Sequence, residues 1–158
     1  MSAREFYDNY LLPNFLEWEQ YPLDERRAMN ATISANQMAD WYFQHLQREG
    51  IPLNEATTPT KLRDKLASQY CADFKLVWDV ADAHKHFALN RKSADVKNAI
   101  DTGVRVTSYV EKGYWAEGYV ADQKVISIDL GDGKLVDLAR LVRNVLVMWE
   151  NLLKQHGW

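Results

Sequence analysis

The chain has 158 residues, of which 47% are hydrophobic and 26% charged, and a formal net charge of −3 at pH 7. This length suits one domain with a real hydrophobic core, and the negative charge argues against a surface built mainly for nucleic acid or anionic membranes. The single cysteine, Cys71, excludes an intrachain disulfide and a multi-cysteine zinc site.

The first part of the chain predicts a series of helices separated by short breaks. Ser2 and Glu5 form a capping box that opens a first helix, which Pro13 is expected to interrupt or kink. Gly50 marks the end of a long second helix. Apolar residues recur at helical spacing further along, and they predict helices over about residues 25–49, 60–70 and 73–88 and a partial helix over 96–100.

After residue 103 the pattern changes to short runs rich in β-branched and aromatic residues. These runs are predicted as strands over about residues 104–110, 114–120, 124–130 and 134–136. Gly131-Asp132-Gly133 predicts a hairpin turn between the last two strands. Asp137 then caps a C-terminal helix that extends to about residue 153.

Together these elements predict a mainly α fold of the α+β class. It is a helical bundle of about four to five helices with a three- to four-stranded antiparallel β-meander inserted before the C-terminal helix. We expect a single domain over residues 1–158, in which 1–103 form the helical part, 104–136 the meander and 137–158 a helix packing back on the bundle. The start of the chain lacks a signal-peptide pattern and no apolar stretch approaches about 20 residues, so a cytoplasmic location is expected.

The densest group of residues able to do proton or metal chemistry lies between residues 78 and 87. Helical spacing divides this group between two faces. His84 falls on the apolar arc, where we expect a core histidine that makes one hydrogen bond. Asp79, Asp82 and His86 share the opposite face, which is interpreted as a solvated stripe stabilised by charge pairs four residues apart.

An alternative for the same residues is a nuclease-like or metal-dependent hydrolase. Its carboxylates would hold a metal or orient an imidazole base, and its candidate residues are Asp40, His45, Asp79, Asp82, His84 and His86. This hypothesis requires Asp40 or His45 to face His86 across a pocket. The sequence contains no complete set of metal ligands and no phosphate-binding loop, so neither a metal nor a cofactor is predicted.

Aromatic residues suggest a second kind of site, a surface that binds a protein partner. Trp41 lies on the otherwise polar face of the long helix, where it is either covered by another segment or left as a binding anchor. Tyr109, Trp115 and Tyr119 of the meander are further candidates for partner binding, although cross-strand pairing explains them equally simply.

A weaker hypothesis is a nucleic-acid-binding module. It would use one continuous basic patch formed by Arg91, Lys92, Lys97, Arg140 and Arg143. Since no complete catalytic constellation is visible and aromatic residues are abundant, the leading expectation is a non-enzymatic helical domain of a bacterial or phage protein. It would act through protein–protein contacts, with a partner or as a homodimer, and without a membrane.

Overall fold

Six α-helices and a three-stranded sheet make up the part of the chain that the structure describes. The computed structural model describes residues 1–52, 56–86, 94–96, 98–108, 122–131 and 134–158. The helices are α1 (Ala3–Phe6), α2 (Leu12–Gln20), α3 (Glu25–Arg48), α4 (Pro59–Lys65), α5 (Asp73–His86) and α6 (Leu138–Gln155). The strands are β1 (Thr102–Ser108), β2 (Asp122–Asp129) and β3 (Leu135–Asp137).

The first helical stretch begins at the predicted capping box. The Ser2 hydroxyl accepts from the Glu5 N–H at 3.1 Å, and the Glu5 carboxylate accepts from the Ser2 N–H at 2.6 Å. A π-helical segment, Tyr7–Leu11, joins α1 to α2, so the stretch continues through Pro13 and the predicted interruption is wrong, while the predicted kink stays a prediction. Pro13 is tolerated because it stands in the first turn of α2, where a missing N–H costs little.

The long helix α3 ends close to the predicted position. Asp24 caps its start by accepting from the Arg27 N–H at 3.0 Å, and Gly50 follows its end with a φ of 65°, which favours glycine. Its predicted apolar arc is confirmed as buried: Ala28, Ala31, Ala35, Ala39, Tyr42 and Leu46. These mostly small residues allow neighbouring helices to approach closely.

The three strands form an antiparallel sheet in the order β1-β2-β3, directly before α6, as the sequence predicts. Val104 pairs with Ile126, and Ile128 lies between Thr102 and Val136. Ile126 and Ile128 are buried, so the central strand contributes to the core. The predicted strand 114–120 and part of the predicted turn at 131–133 lie outside the described residues. In place of the partial helix over 96–100, the described residues contain a short 3-10 turn, Ala99–Asp101.

The core is one cluster of buried side chains to which every long helix and β2 contribute. At its centre the fully buried Trp149 of α6 donates from Nε1 to the Ala35 carbonyl at 3.0 Å. The predicted apolar face of α6 is confirmed: Leu138, Leu141, Val142, Val145, Met148, Trp149 and Leu152 are all buried. None of the helices in the described ranges combines the length and the hydropathy needed to cross a membrane.

Candidate functional site

Asp79 is fully buried, so the prediction of a solvated stripe is wrong for this residue. Its carboxylate accepts from the Lys75 ammonium at 3.0 Å and from the Asp95 N–H at 2.7 Å. The cause is the return of residues 94–96, in which Ala94 and Val96 are buried and the Asp95 N–H meets Asp79. Asp79 therefore holds this segment on α5.

Lys75 joins two carboxylates rather than one. Its ammonium also donates to Asp95 at 2.7 Å. Partial burial lowers the pKa of Lys75, but the bonds to Asp95 and Asp79 outweigh it and raise that pKa above its ordinary value. The lysine stays charged at neutral pH, and the arrangement is that of a structural ion pair.

The two histidines of α5 occupy different environments, as helical spacing predicted. His84 is partly buried, but its buried Nε2 has no hydrogen-bond partner among the described residues, so the hydrogen bond predicted for this histidine is not made by that atom. Burial lowers the pKa of His84, although the nearby Glu25 carboxylate opposes this effect. His86 is exposed at the end of α5, and Asp82 is partly exposed.

Asp40 and His45 lie in the second half of α3, away from its start. The Glu25 carboxylate, in the first turn of α3, is near enough to His84 in α5 for its charge to act on that histidine. Asp40 is fifteen residues further along α3 than Glu25. At about 1.5 Å per residue, Asp40 lies roughly 22 Å from Glu25 along the helix. The partners of Asp40 and His45 within the described residues are groups other than His86, so the hydrolase hypothesis stays a prediction.

Asp40 instead accepts from the Arg63 guanidinium at 2.8 Å. Arg63, in α4, is buried and also donates from Nε to the buried Asn36 side chain at 2.9 Å. This group holds α4 against α3. One edge of the Asp40 carboxylate remains at the surface, because its side chain is 51% exposed.

His45 connects the two ends of the described chain. Its Nδ1 accepts from the Ala3 N–H at 3.2 Å, and its ring stacks on Trp158 with centroids 3.8 Å apart. Burial lowers the pKa of His45, the nearby Glu49 and Glu5 carboxylates opposing this effect. These contacts give His45 a structural role.

Three aromatic rings form a continuous stack along the outer side of α1 and α3. Trp41 stacks on Phe6 with ring centroids 5.4 Å apart and an interplanar angle of 19°. Phe6 stacks on Tyr10 with centroids 5.4 Å apart and an angle of 16°. The N-terminal segment therefore covers only one side of Trp41, which remains partly exposed, and Tyr10 is 50% exposed.

The stack forms the floor of an open groove of about 590 Å³, which we call the aromatic groove. The three rings line it together with one methionine and three polar side chains of α3: Met1, Phe6, Tyr10, Gln37, Asp40, Trp41 and Gln44. Positions 37, 41 and 44 share one face of α3 because they are three or four residues apart. The groove thus combines flat apolar surface with amide and carboxylate groups.

The sequence identified Trp41 as a candidate but not Phe6 or Tyr10. The signal available was their spacing of four residues, which places two rings on one helical face. What the spacing does not show is that this face lies next to Trp41. That depends on how the first helix packs on α3.

The two arginines of the predicted basic patch that the structure describes, Arg140 and Arg143, each lie close to an acid. Arg143 donates to Glu19 at 2.7 Å, and Arg140 lies 3.9 Å from Asp73. The remaining candidates for nucleic-acid binding, Arg91, Lys92 and Lys97, and the meander aromatics Tyr109, Trp115 and Tyr119 lie outside the described residues. The predicted continuous basic patch therefore stays a prediction.

Similarity to known proteins does not assign a function to this groove. Comparison of the chain with models of protein families, with curated proteins and with solved structures finds no match. Within the described residues, no group of three or more His, Cys, Asp or Glu side chains is placed to hold a metal ion. The site is therefore interpreted from its residues alone.

Proposed function

We propose that the chain is a non-enzymatic domain that acts through protein contacts, and that the aromatic groove is the surface it uses. The observation that carries this proposal is the stack of Trp41, Phe6 and Tyr10, with a half-exposed ring at its outer end. Partly exposed tryptophan and tyrosine rings are the side chains most enriched where binding energy concentrates.

The occupant that fits the groove is a short basic segment of a partner protein. The α3 side of the groove runs from Gln37 to Gln44, which corresponds to about 10 Å or two helical turns. A groove this short offers much less surface than the roughly 800 Å² that each partner buries in a standard interface. It suits recognition of a peptide segment in a groove between helices.

The segment is expected to be basic because the groove carries an acidic side chain. Asp40 is the one acidic side chain among the described residues that line it. Only its Oδ2 accepts from Arg63, which leaves lone pairs for a cation of the partner. The expected ligand places an aromatic or aliphatic side chain on the Tyr10 and Trp41 rings and a lysine or arginine beside Asp40.

Selection from a random peptide display library, followed by affinity measurement on synthesised peptides, tests this proposal. We expect the wild-type protein to enrich peptides in which an aromatic residue is near a lysine or arginine. Tyr10→Ala is expected to weaken the enriched peptides about tenfold, as loss of a hot-spot ring commonly does. Tyr21→Ala, which removes another exposed ring away from the groove, is the matched control and is expected to leave affinity unchanged.

Asp40→Asn is expected to remove the preference for basic residues while keeping the aromatic one. Absence of enrichment, or equal loss of affinity in Tyr10→Ala and Tyr21→Ala, would overturn the proposal. Sedimentation equilibrium tests the other occupant, a second copy of the chain. A concentration-dependent dimer that Tyr10→Ala dissociates would replace the partner segment by self-association.

A further inference from the structure

A second cavity lies at the opposite side of α3, between α4, the π-helical segment Leu66–Tyr70 and the end of α6. It has a volume of about 180 Å³ and shares no residue with the aromatic groove. An engineered apolar cavity of about 150 Å³ holds a benzene molecule. The space therefore suits a ligand of one small ring with a short substituent.

Aliphatic side chains form one part of the wall of this cavity, and polar side chains form the rest. Leu46 and Ile51 come from α3 and the residues after it, Leu62 and Leu66 from the α4 region, and Leu152 from α6. Leu46, Leu62, Leu66 and Leu152 are buried, so their positions are fixed by the core. A fixed apolar wall favours a rigid apolar body over a flexible polar one.

Polar groups from α3, α4, the π-helical segment and the end of α6 line the same cavity. Tyr42 Oη and His156 Nε2 are hydrogen-bonded at 2.8 Å, and burial raises the pKa of Tyr42 to about 12, so its phenol is neutral at physiological pH. Tyr70 presents a second hydroxyl and is 49% exposed. Lys65 supplies an ammonium that has no ion-pair partner among the described residues.

We infer that this cavity is a binding site for a small organic carboxylate with an apolar body, of about the size of benzoate. The carboxylate is bound by the Lys65 ammonium and the Tyr70 hydroxyl, and the apolar body packs on the leucine wall. The ammonium selects an anion because it is the charged lining group without a counter-ion. The leucines select a ring or branched chain over an inorganic anion.

Titration of ¹⁵N-labelled protein with sodium benzoate, benzamide and inorganic phosphate tests this inference by NMR. Benzamide has the shape of benzoate without its charge, and phosphate has charge without an apolar body. We expect benzoate to shift the backbone amides of Leu62, Leu66 and Leu152 and to bind about tenfold more tightly than benzamide. Phosphate is expected to leave these amides unchanged.

Two lysine variants separate a specific site from general charge. Lys65→Met keeps most of the length of the side chain and removes its charge, and it is expected to weaken the binding of benzoate about tenfold without affecting that of benzamide. Lys61→Met, on the same helix but not in the cavity lining, is the matched control and should bind benzoate normally. Melting temperatures of both variants verify that they fold.

Several results would overturn the inference. Equal binding of benzoate and benzamide would show an apolar cavity with no selectivity for an anion. Shifts caused equally by phosphate would indicate a simple anion site. No shift at millimolar benzoate would show that the cavity does not bind a carboxylate of this kind. The aromatic groove has a separate lining, so Lys65→Met should bind the selected peptides as the wild type does. The benzoate site and the proposed function can therefore fail independently of each other.

Discussion

Asp79→Asn tests whether the buried carboxylate holds the segment after α5 in place. The substitution keeps the size of the side chain and removes its charge. Oδ2 of Asp79 accepts from the Lys75 ammonium at 3.0 Å and from the Asp95 N–H at 2.7 Å, and the substitution replaces it by the neutral oxygen of an amide, a weaker acceptor. We expect a loss of stability, because both bonds are assisted by the carboxylate charge.

The magnitude follows from the two contacts. A hydrogen bond to a charged group contributes about 1.5–3 kcal/mol and a neutral one about 1 kcal/mol, so the bond from Asp95 loses about 1 kcal/mol. The bond from Lys75 is discounted, because this side chain is 35% exposed and keeps its contact with Asp95 at 2.7 Å. The bond from Lys75 then adds less than about 1 kcal/mol, so together they predict a loss of about 1–2 kcal/mol, or a fall in Tm of about 2–8 °C.

Urea unfolding followed by tryptophan fluorescence measures this loss, with calorimetry as an independent check. Asp64→Asn is the matched control, because Asp64 is an exposed residue of α4, and we expect it to change the free energy of unfolding by less than about 0.5 kcal/mol. If Asp79→Asn lowers stability no more than Asp64→Asn, the structural role of this carboxylate is refuted.

Three further substitutions have expected effects on stability. Trp149→Phe removes the N–H that donates to the Ala35 carbonyl and is expected to cost about 2 kcal/mol in urea unfolding; no loss would contradict this role. Gly50→Ala is expected to cost about 1–2 kcal/mol, because φ is 65° while no atom obstructs a Cβ; an unchanged Tm would contradict the assigned conformation. Burial lowers the folded pKa of His45, so its contribution is present above about pH 6.5 and is lost as the pH falls, because the unfolded chain takes up the proton first. His45→Asn, which keeps an acceptor for Ala3, is expected to lessen the loss of stability between pH 7 and 5, and an identical pH dependence would contradict this.

The helices were predictable because their signals are local. The capping residues Ser2, Asp24 and Asp137 and the glycine at position 50 lie within one turn of the helix ends that they define. The spacing of buried residues in α3 and α6 likewise follows from helix geometry alone. Pro13 was the exception, since the π-helical segment before it has no comparably simple sequence signal.

The environment of a single side chain was less predictable, because it depends on segments distant in sequence. Helical spacing placed Asp79 on a polar face, but it does not show that residues 94–96 return to cover that face. In the same way, the groove beside Trp41 depends on the packing of Phe6, thirty-five positions earlier in the chain. Spacing therefore identifies which residues share a face, and tertiary packing decides what that face contacts.

The measurement that tests the proposed function most directly is an NMR titration with one peptide obtained from the display selection. We predict that the indole N–H of Trp41 and the side-chain amides of Gln37 and Gln44 shift together, and that Tyr10→Ala weakens this binding about tenfold. Tyr21→Ala should bind as the wild type does. Shifts confined to another surface, or an affinity unaffected by Tyr10→Ala, would contradict the assignment of the aromatic groove as the contact surface.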